Sequence, residues 1–240
     1  VENRKGMNKL AVVTGSTKGI GRAIAEKFAA EGFDLIITSR SAEELTVAKA
    51  AIEESFAVSC SVFRADLSVK TEAEAFARFV KEHQKELAVL VNNAGTFVQG
   101  TLMTEPDGTL EHQINTNVYS AYWVTRALFE PLKNSSAAHV FNISSIAGLQ
   151  AYPGSGSYSV SKFALLGFSK SLREELKPYK IKVTSVLPGA TYTSSWEGVN
   201  LPESRFMKAQ DVADVVFASY KLSPSAVVED IVMRPTEGDI

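Results

Sequence analysis

Short β-branched or aliphatic runs alternate with longer amphipathic ones from one end of this chain to the other, and few folds accept that order. A short apolar run suits a strand buried on both faces, and the amphipathic stretches between supply the helices that cover it. The pattern specifies an α/β fold with a doubly wound parallel sheet and helices on both faces. Strands are expected around residues 10–13, 35–38, 58–63, 87–91, 139–143, 182–186 and 230–233, seven in all. Helices are expected over 20–30, 42–54, 72–83, 110–132, 158–176 and 209–222, with right-handed crossovers. In such sheets ligands bind beyond the carboxyl ends of the strands, where strand order reverses.

With 240 residues, 45% of them hydrophobic, one core and one domain are expected over residues 9–240. Residues 1–8 read as a polar extension, partly an expression remnant, with Met7 a natural start. The 25 Lys plus Arg against 27 Asp plus Glu leave a net charge of −2, no field for nucleic acid or an acidic membrane surface. The one cysteine, Cys60, excludes an intrachain disulfide, and its apolar surroundings mark a buried side chain rather than a reactive thiol. No apolar run approaches the roughly 20 residues of a membrane span, and no secretory pattern opens the chain. A cytoplasmic protein is expected.

Directly after the first strand comes Thr14-Gly15-Ser16-Thr17-Lys18-Gly19-Ile20-Gly21, and a helix begins within it. Gly15 allows a sharp turn, Gly19 the approach of backbone to a pyrophosphate, and Gly21 close packing of helix on sheet. The helix amino end offers free N–H groups and partial positive charge to an anion. A strand before and a helix after make a dinucleotide-binding turn the better reading than a plain tight loop. At the end of the second strand, where an acidic residue would hold a ribose 2′-hydroxyl, stand Ser39 and Arg40. A carboxylate repels a 2′-phosphate, whereas Arg40 and Lys18 can bind one, so NADP(H) is expected over NAD(H).

Tyr158 and Lys162 stand four residues apart on one helix face, where an ammonium can stabilise a phenolate and lower a tyrosine pKa otherwise near about 10. Thirteen residues upstream, Ser144 and Ser145 end the fifth strand and bring two hydroxyls to the same edge of the sheet. One of them can hydrogen-bond a carbonyl oxygen on which charge develops. Asn92-Asn93-Ala94-Gly95 ends the fourth strand, with small residues to lie against a cofactor and amides to brace the sheet. Asn117 is poorly placed for helix propensity and can hold an ordered water. His83, His112 and His139 are scattered, so no metal site is expected.

Taken in order, Thr14 to Gly21, Asp66, Asn92 to Gly95, Asn117, Ser145, Tyr158, Lys162 and Pro188-Gly189 resemble the short-chain dehydrogenase/reductase family, in its compact branch with a single-domain Rossmann fold. The resemblance runs over nearly all of residues 10–233. It implies that Tyr158 is the general acid in carbonyl reduction, that Lys162 also holds the nicotinamide ribose, and that Ser145 rather than Ser144 polarises the substrate. It further implies that Asn117 anchors a water in a proton relay through Lys162. Asp66, with Leu67 beside it, matches the adenine contact, Asn93, with Ala94 and Gly95, the ribose contact, and Ile20 a backbone contact to pyrophosphate. Pro188, Gly189, Thr191 and Thr193 match the nicotinamide clamp.

Substrate choice is expected in residues 148–157 and 191–208, where Tyr152, Tyr192 and Trp196, with Phe97, either wall an apolar pocket or cover the core. The family points to a 3-oxoacyl thioester or a small ketone. An NADP-binding regulator without strong catalysis is the alternative, disfavoured by the intact Ser145, Tyr158 and Lys162. The resemblance also implies a homodimer or homotetramer through the helices beginning near Leu110 and Tyr158. The ending after Ser223 departs from the family's usual one.

Overall fold

The computed structural model describes residues 9–193 and 198–240; Trp196 and the extension 1–8 lie outside the described residues. Strands β1 (Leu10–Thr14), β2 (Asp34–Ser39), β3 (Cys60–Arg64), β4 (Leu87–Asn92), β5 (His139–Ile143), β6 (Lys182–Pro188) and β7 (Asp230–Met233) form one sheet in the order β3-β2-β1-β4-β5-β6-β7. Every pairing is parallel. The helices are α1 (Gly19–Ala30), α2 (Ala42–Ser55), α3 (Lys70–Glu82), α4 (Thr109–Ile114), α5 (Ser120–Ala127), α6 (Phe129–Lys133), α7 (Gly156–Leu176) and α8 (Ala209–Tyr220). The expected Rossmann-type architecture is the one observed.

Alternation along β1 divides the core between the faces of the sheet. Ala11 and Val13 pack with side chains of α1, α2 and α8, while Leu10 and Val12 pack with those of α3, α5 and α7. On the first face Phe28 is fully buried and meets Phe33, Phe217 and Tyr220 edge-on, at ring separations of 5.1, 5.4 and 5.7 Å. Cys60 is buried, and burial pushes its thiol up to about 11, which leaves it inert as a nucleophile.

The chain runs outward through β1, β2 and β3 and then returns to the other side of β1 as β4. The resulting crevice lies beyond the carboxyl ends of β1 and β4. Register pairs Val13 with Val91, Asn92 with Asn142 and Ile143 with Val186, so Thr14, Asn92, Ile143 and Pro188 end at one edge.

One element departs from expectation. The helix expected over 110–132 is broken into α4, a widened π turn at Asn115–Tyr119, α5 and α6, with a second interruption at Leu128. Ser120 N–H donates to the Asn115 carbonyl five residues back, and Asn117 spends its side chain on neighbours outside the helix. Local π geometry of this kind often accompanies functional sites. Among the described residues no helix is long and apolar enough to cross a membrane.

Candidate active site

The glycine turn is held in place from β4. Thr14 Oγ1 accepts the backbone N–H groups of Asn93 and Ala94, each at 2.9 Å, and Asn93 Nδ2 donates to the carbonyls of Thr14 (3.0 Å) and Gly15 (2.8 Å). Gly15 has φ of +61°, the left-handed region that favours glycine. A Cβ on Gly21 would lie 2.3 Å from Asn93 Nδ2 and 2.4 Å from the Gly15 carbonyl, so the helix start is pressed against the turn itself. No side chain caps α1 among the described residues. Its amino-end amides are therefore available to an anion.

The adenosine-side candidates sit beside this turn, because Gly15 N–H donates to the Thr38 carbonyl near the end of β2. Lys18 and Arg40 are exposed. Arg64 Nε donates to the Arg40 carbonyl at 3.2 Å, and its Nη1 pairs with Glu72. Burial alone would raise the Asp66 carboxyl, but two hydrogen bonds from Ser68 and the charges of Arg40 and Arg64 outweigh it and hold the group below its ordinary range. Sequence reasoning passed over Glu44, in the first turn of α2, whose Oε2 accepts from Thr17 Oγ1 at 2.7 Å. Acidic residues are routine in a first helical turn, so nothing in the sequence marked this one.

At the reaction end the two serines are separated by their partners. Ser144 Oγ donates to the Lys162 carbonyl at 3.2 Å and so fastens β5 to α7. Ser145 Oγ accepts the Ala147 N–H at 3.1 Å, and its hydroxyl acts on that of Tyr158, favouring the phenolate. Tyr158 lies in the first turn of α7, with Phe97 edge-on to it at 4.9 Å. Lys162 is buried, and its Nζ donates to the Ile143 carbonyl at 3.1 Å. The ammonium stands 5.6 Å from the Tyr158 ring centroid.

The protonation balance differs from the sequence expectation. Burial pushes the Tyr158 hydroxyl above its ordinary value, with Ser145 opposing, and burial lowers Lys162 to about 8. In the protein alone desolvation outweighs the neighbouring ammonium, since Lys162 faces the ring rather than supplying a hydrogen bond to the oxygen.

Asn117 is buried on the widened turn. Its Nδ2 donates to Ser161 Oγ (2.8 Å) and the Thr96 carbonyl (3.0 Å), and its Oδ1 accepts the Thr96 N–H (2.7 Å). Both amide hydrogens are thus spent, and what the side chain still offers a water is an acceptor. A Cβ at Gly95 would lie 3.2 Å from Asn117 Oδ1 and 3.7 Å from Lys162 Nζ, so the bare Gly95 backbone runs between them. Beneath, Asn92 Nδ2 donates to Asn142 Oδ1 and Thr125 Oγ1, both at 2.8 Å, and braces the central strands.

The other candidates are placed more diversely. Thr191 Oγ1 donates to the Gly189 carbonyl, and Thr193 would touch a Cβ at Gly19, which brings the segment after β6 onto the glycine turn. Tyr192 is half exposed and tilted against Phe206. Tyr152 does not present a free hydroxyl, because it donates to Asp239 Oδ2 at 2.5 Å.

Residues 9–204 match the short chain dehydrogenase family. Among curated relatives, sepiapterin reductase of Chlorobaculum tepidum is 31% identical over 98% of this chain and 99% of its own length. The 3-oxoacyl-[acyl-carrier-protein] reductase FabG of Chlamydia trachomatis is 32% identical over 81% of this chain and 78% of its own. Among solved structures, a metagenomic short-chain oxidoreductase in complex with NADP superposes with a TM-score of 0.82 at 30% identity, covering 95% of this chain and 97% of that one.

Proposed function

Because the chain belongs to the short-chain dehydrogenase family, we propose that it is an NADPH-dependent oxidoreductase that reduces a carbonyl to a secondary alcohol, or runs the reverse reaction. The observation that carries this reading is the gathering of Ser145, Tyr158 and buried Lys162, whose Nζ stands 5.6 Å from the Tyr158 ring, at the sheet edge that holds the glycine turn. The residues fit a dinucleotide. The uncapped end of α1 and the turn clasped by Asn93 suit a pyrophosphate. Among the described residues Lys162 Nζ spends one donor, on the Ile143 carbonyl, which leaves donors for ribose hydroxyls. Lys18 and Arg40 favour a 2′-phosphate, and the NADP complex of a 30%-identical structure supports that choice.

When bound, the cofactor supplies the hydride. Ser145 holds the substrate carbonyl oxygen, and Tyr158 delivers the proton to that oxygen as charge develops on it. A half-buried tyrosine whose pKa is raised in the protein alone keeps its proton until it is needed. Lys162, still cationic at neutral pH, stabilises the phenolate left behind. Asn117 holds Thr96 and Ser161 in register and offers its remaining acceptor to a water that returns the proton.

A 3-oxoacyl thioester or a small ketone is the substrate class we favour. The chain acts as a homodimer or homotetramer through α4–α5 and α7, which expose Leu110, Tyr119, Val160 and Phe163. The test is loss of NADPH absorbance with 3-oxoacyl thioesters, diketones, quinones, aldehydes, sugars and sepiapterin, repeated with NADH. Turnover of at least one carbonyl with NADPH, faster than with NADH, is expected. Tight NADPH binding without oxidation by any of them refutes the reading.

A further inference from the structure

The chain beyond β7 does not trail away from the sheet. Gly189 N–H donates to the Met233 carbonyl at 2.8 Å, and a Cβ on Gly189 would meet Pro235 Cδ at 3.2 Å and Ile146 Cδ1 at 3.3 Å. Buried Pro235 therefore sits against Gly189, the residue that follows β6, which also approaches Ile146, the residue that follows Ser145. Gly238, at φ of +90°, returns its N–H to the Pro235 carbonyl at 2.9 Å, and this turn folds the chain back over the same edge.

The returning residues grip both segments expected to choose the substrate. Asp239 Oδ2 accepts the Tyr152 hydroxyl at 2.5 Å, across 87 residues of sequence, and its Oδ1 lies 3.2 Å from Arg234 Nε. Tyr152 is knit to α7 in turn: Ser155 Oγ accepts the Tyr152 N–H at 3.0 Å, donates to its carbonyl at 2.6 Å and lies 2.7 Å from Ser159 Oγ. On the other side Glu237 pairs with Arg205 at 3.7 Å. That pair is long and its Glu237 end is exposed, so it is weak, whereas the half-buried phenol–carboxylate bond is the stronger link.

We propose that residues 234–240 form a strap that fixes the segment before α7 relative to the segment before α8, with Asp239 as a positioning residue acting through Tyr152. Asp239 and Tyr152 then set how well a carbonyl substrate is held, without touching the proton transfer or the dinucleotide. The kinetic half of this inference rests on the function proposed above; the structural half does not.

Hydrogen exchange and steady-state kinetics on Asp239→Ala, Tyr152→Phe, the double variant and Asp239→Asn test it. Acetoacetyl-CoA and butane-2,3-dione serve as probe carbonyls. Asp239→Ala and Tyr152→Phe should each speed amide exchange in both 149–155 and 201–208. Each should raise the probe KM about tenfold, as loss of a charge-assisted hydrogen bond requires, while kcat and NADPH affinity stay near wild type. The double variant should be no worse than either single one, and Asp239→Asn, which keeps an acceptor for the phenol, should restore most of the loss. Exchange that changes only in 234–240, or losses that add in the double variant, would overturn the strap. If wild type reduces neither probe, nor any other carbonyl of the wider panel, the proposed function fails, and exchange alone still decides the inference.

Discussion

Asn117 Nδ2 lies 2.8 Å from Ser161 Oγ, and this bond ties the widened turn between α4 and α5 to the helix that carries Tyr158 and Lys162. The same side chain satisfies both backbone polar groups of Thr96, at the start of the segment leading to Phe97. One buried amide thus sets three pieces of chain against one another.

Replacing Asn117 with Ala leaves the half-buried N–H and carbonyl of Thr96 without their partner. Stability to urea should fall by about 1–3 kcal/mol, and turnover should fall with it even where the protein remains folded. Unchanged turnover in a folded Asn117→Ala protein would remove Asn117 from the site.

Tyr158→Phe deletes the proposed proton donor but keeps the ring against Phe97. Turnover should drop on the order of a hundredfold or more, with NADPH binding, followed by cofactor fluorescence, largely retained. Ser145→Ala should likewise slow turnover, whereas Ser144→Ala, which loosens only the tie to α7, should act mainly on stability.

Cofactor choice rests on opposing charges. Neutralising Lys18 and Arg40 together should weaken NADPH far more than NADH. Glu44, bonded to Thr17 in the glycine turn, works against a 2′-phosphate, so Glu44→Gln should tighten NADPH relative to NADH. Equal changes for both cofactors, measured by titration, would contradict the assignment.

Gly21→Ala places a methyl within 2.4 Å of the Gly15 carbonyl and within 2.3 Å of Asn93 Nδ2. Backbone cannot yield as a flexible side chain does, so the Asn93 clasp should break and the turn reshape. Loss of NADPH binding with a lower melting temperature is expected; binding at wild-type strength would show that the turn does not need this contact.

His139 is buried between β4 and β6, stacked on Phe141 with Nε2 2.7 Å from Thr184 Oγ1, and burial, then the charge of Lys182, lowers its pKa from 6.5 to about 3. The unfolded chain takes up a proton near its ordinary pKa, whereas the folded one does not until far lower pH. Stability is therefore full above the unfolded value and is lost as pH falls between the two, by up to about 1.4 kcal/mol per pH unit. Asp66, Glu53 and Glu86, held below their ordinary values, add to this loss only at lower pH. Between about pH 6.5 and 5 the slope should flatten in His139→Gln, as read by urea denaturation at several pH values.

Much of the fold was legible because burial on both faces leaves a strong mark on composition. The expected strands fall within about two residues of those observed, and the expected crevice is where the glycine turn lies. The long helix at 110–132 was misread because periodicity tells which residues are apolar and is nearly blind to one widened turn. Asn115 and Asn117, poor helix formers in succession, were the only local hint.

By itself the sequence marked the elements, the glycine turn and the four-residue spacing of Tyr158 and Lys162, since each depends on short-range pattern, while the choice of Ser145 over Ser144 came from the family resemblance. Only the tertiary structure decided that Ser144 fastens α7 while Ser145 reaches Tyr158, that desolvation outweighs Lys162 in the protein alone, and that Asp239 closes on Tyr152. These outcomes turn on distance and burial between residues far apart in the chain, and a hydrogen bond across 87 residues leaves no trace in local composition or period.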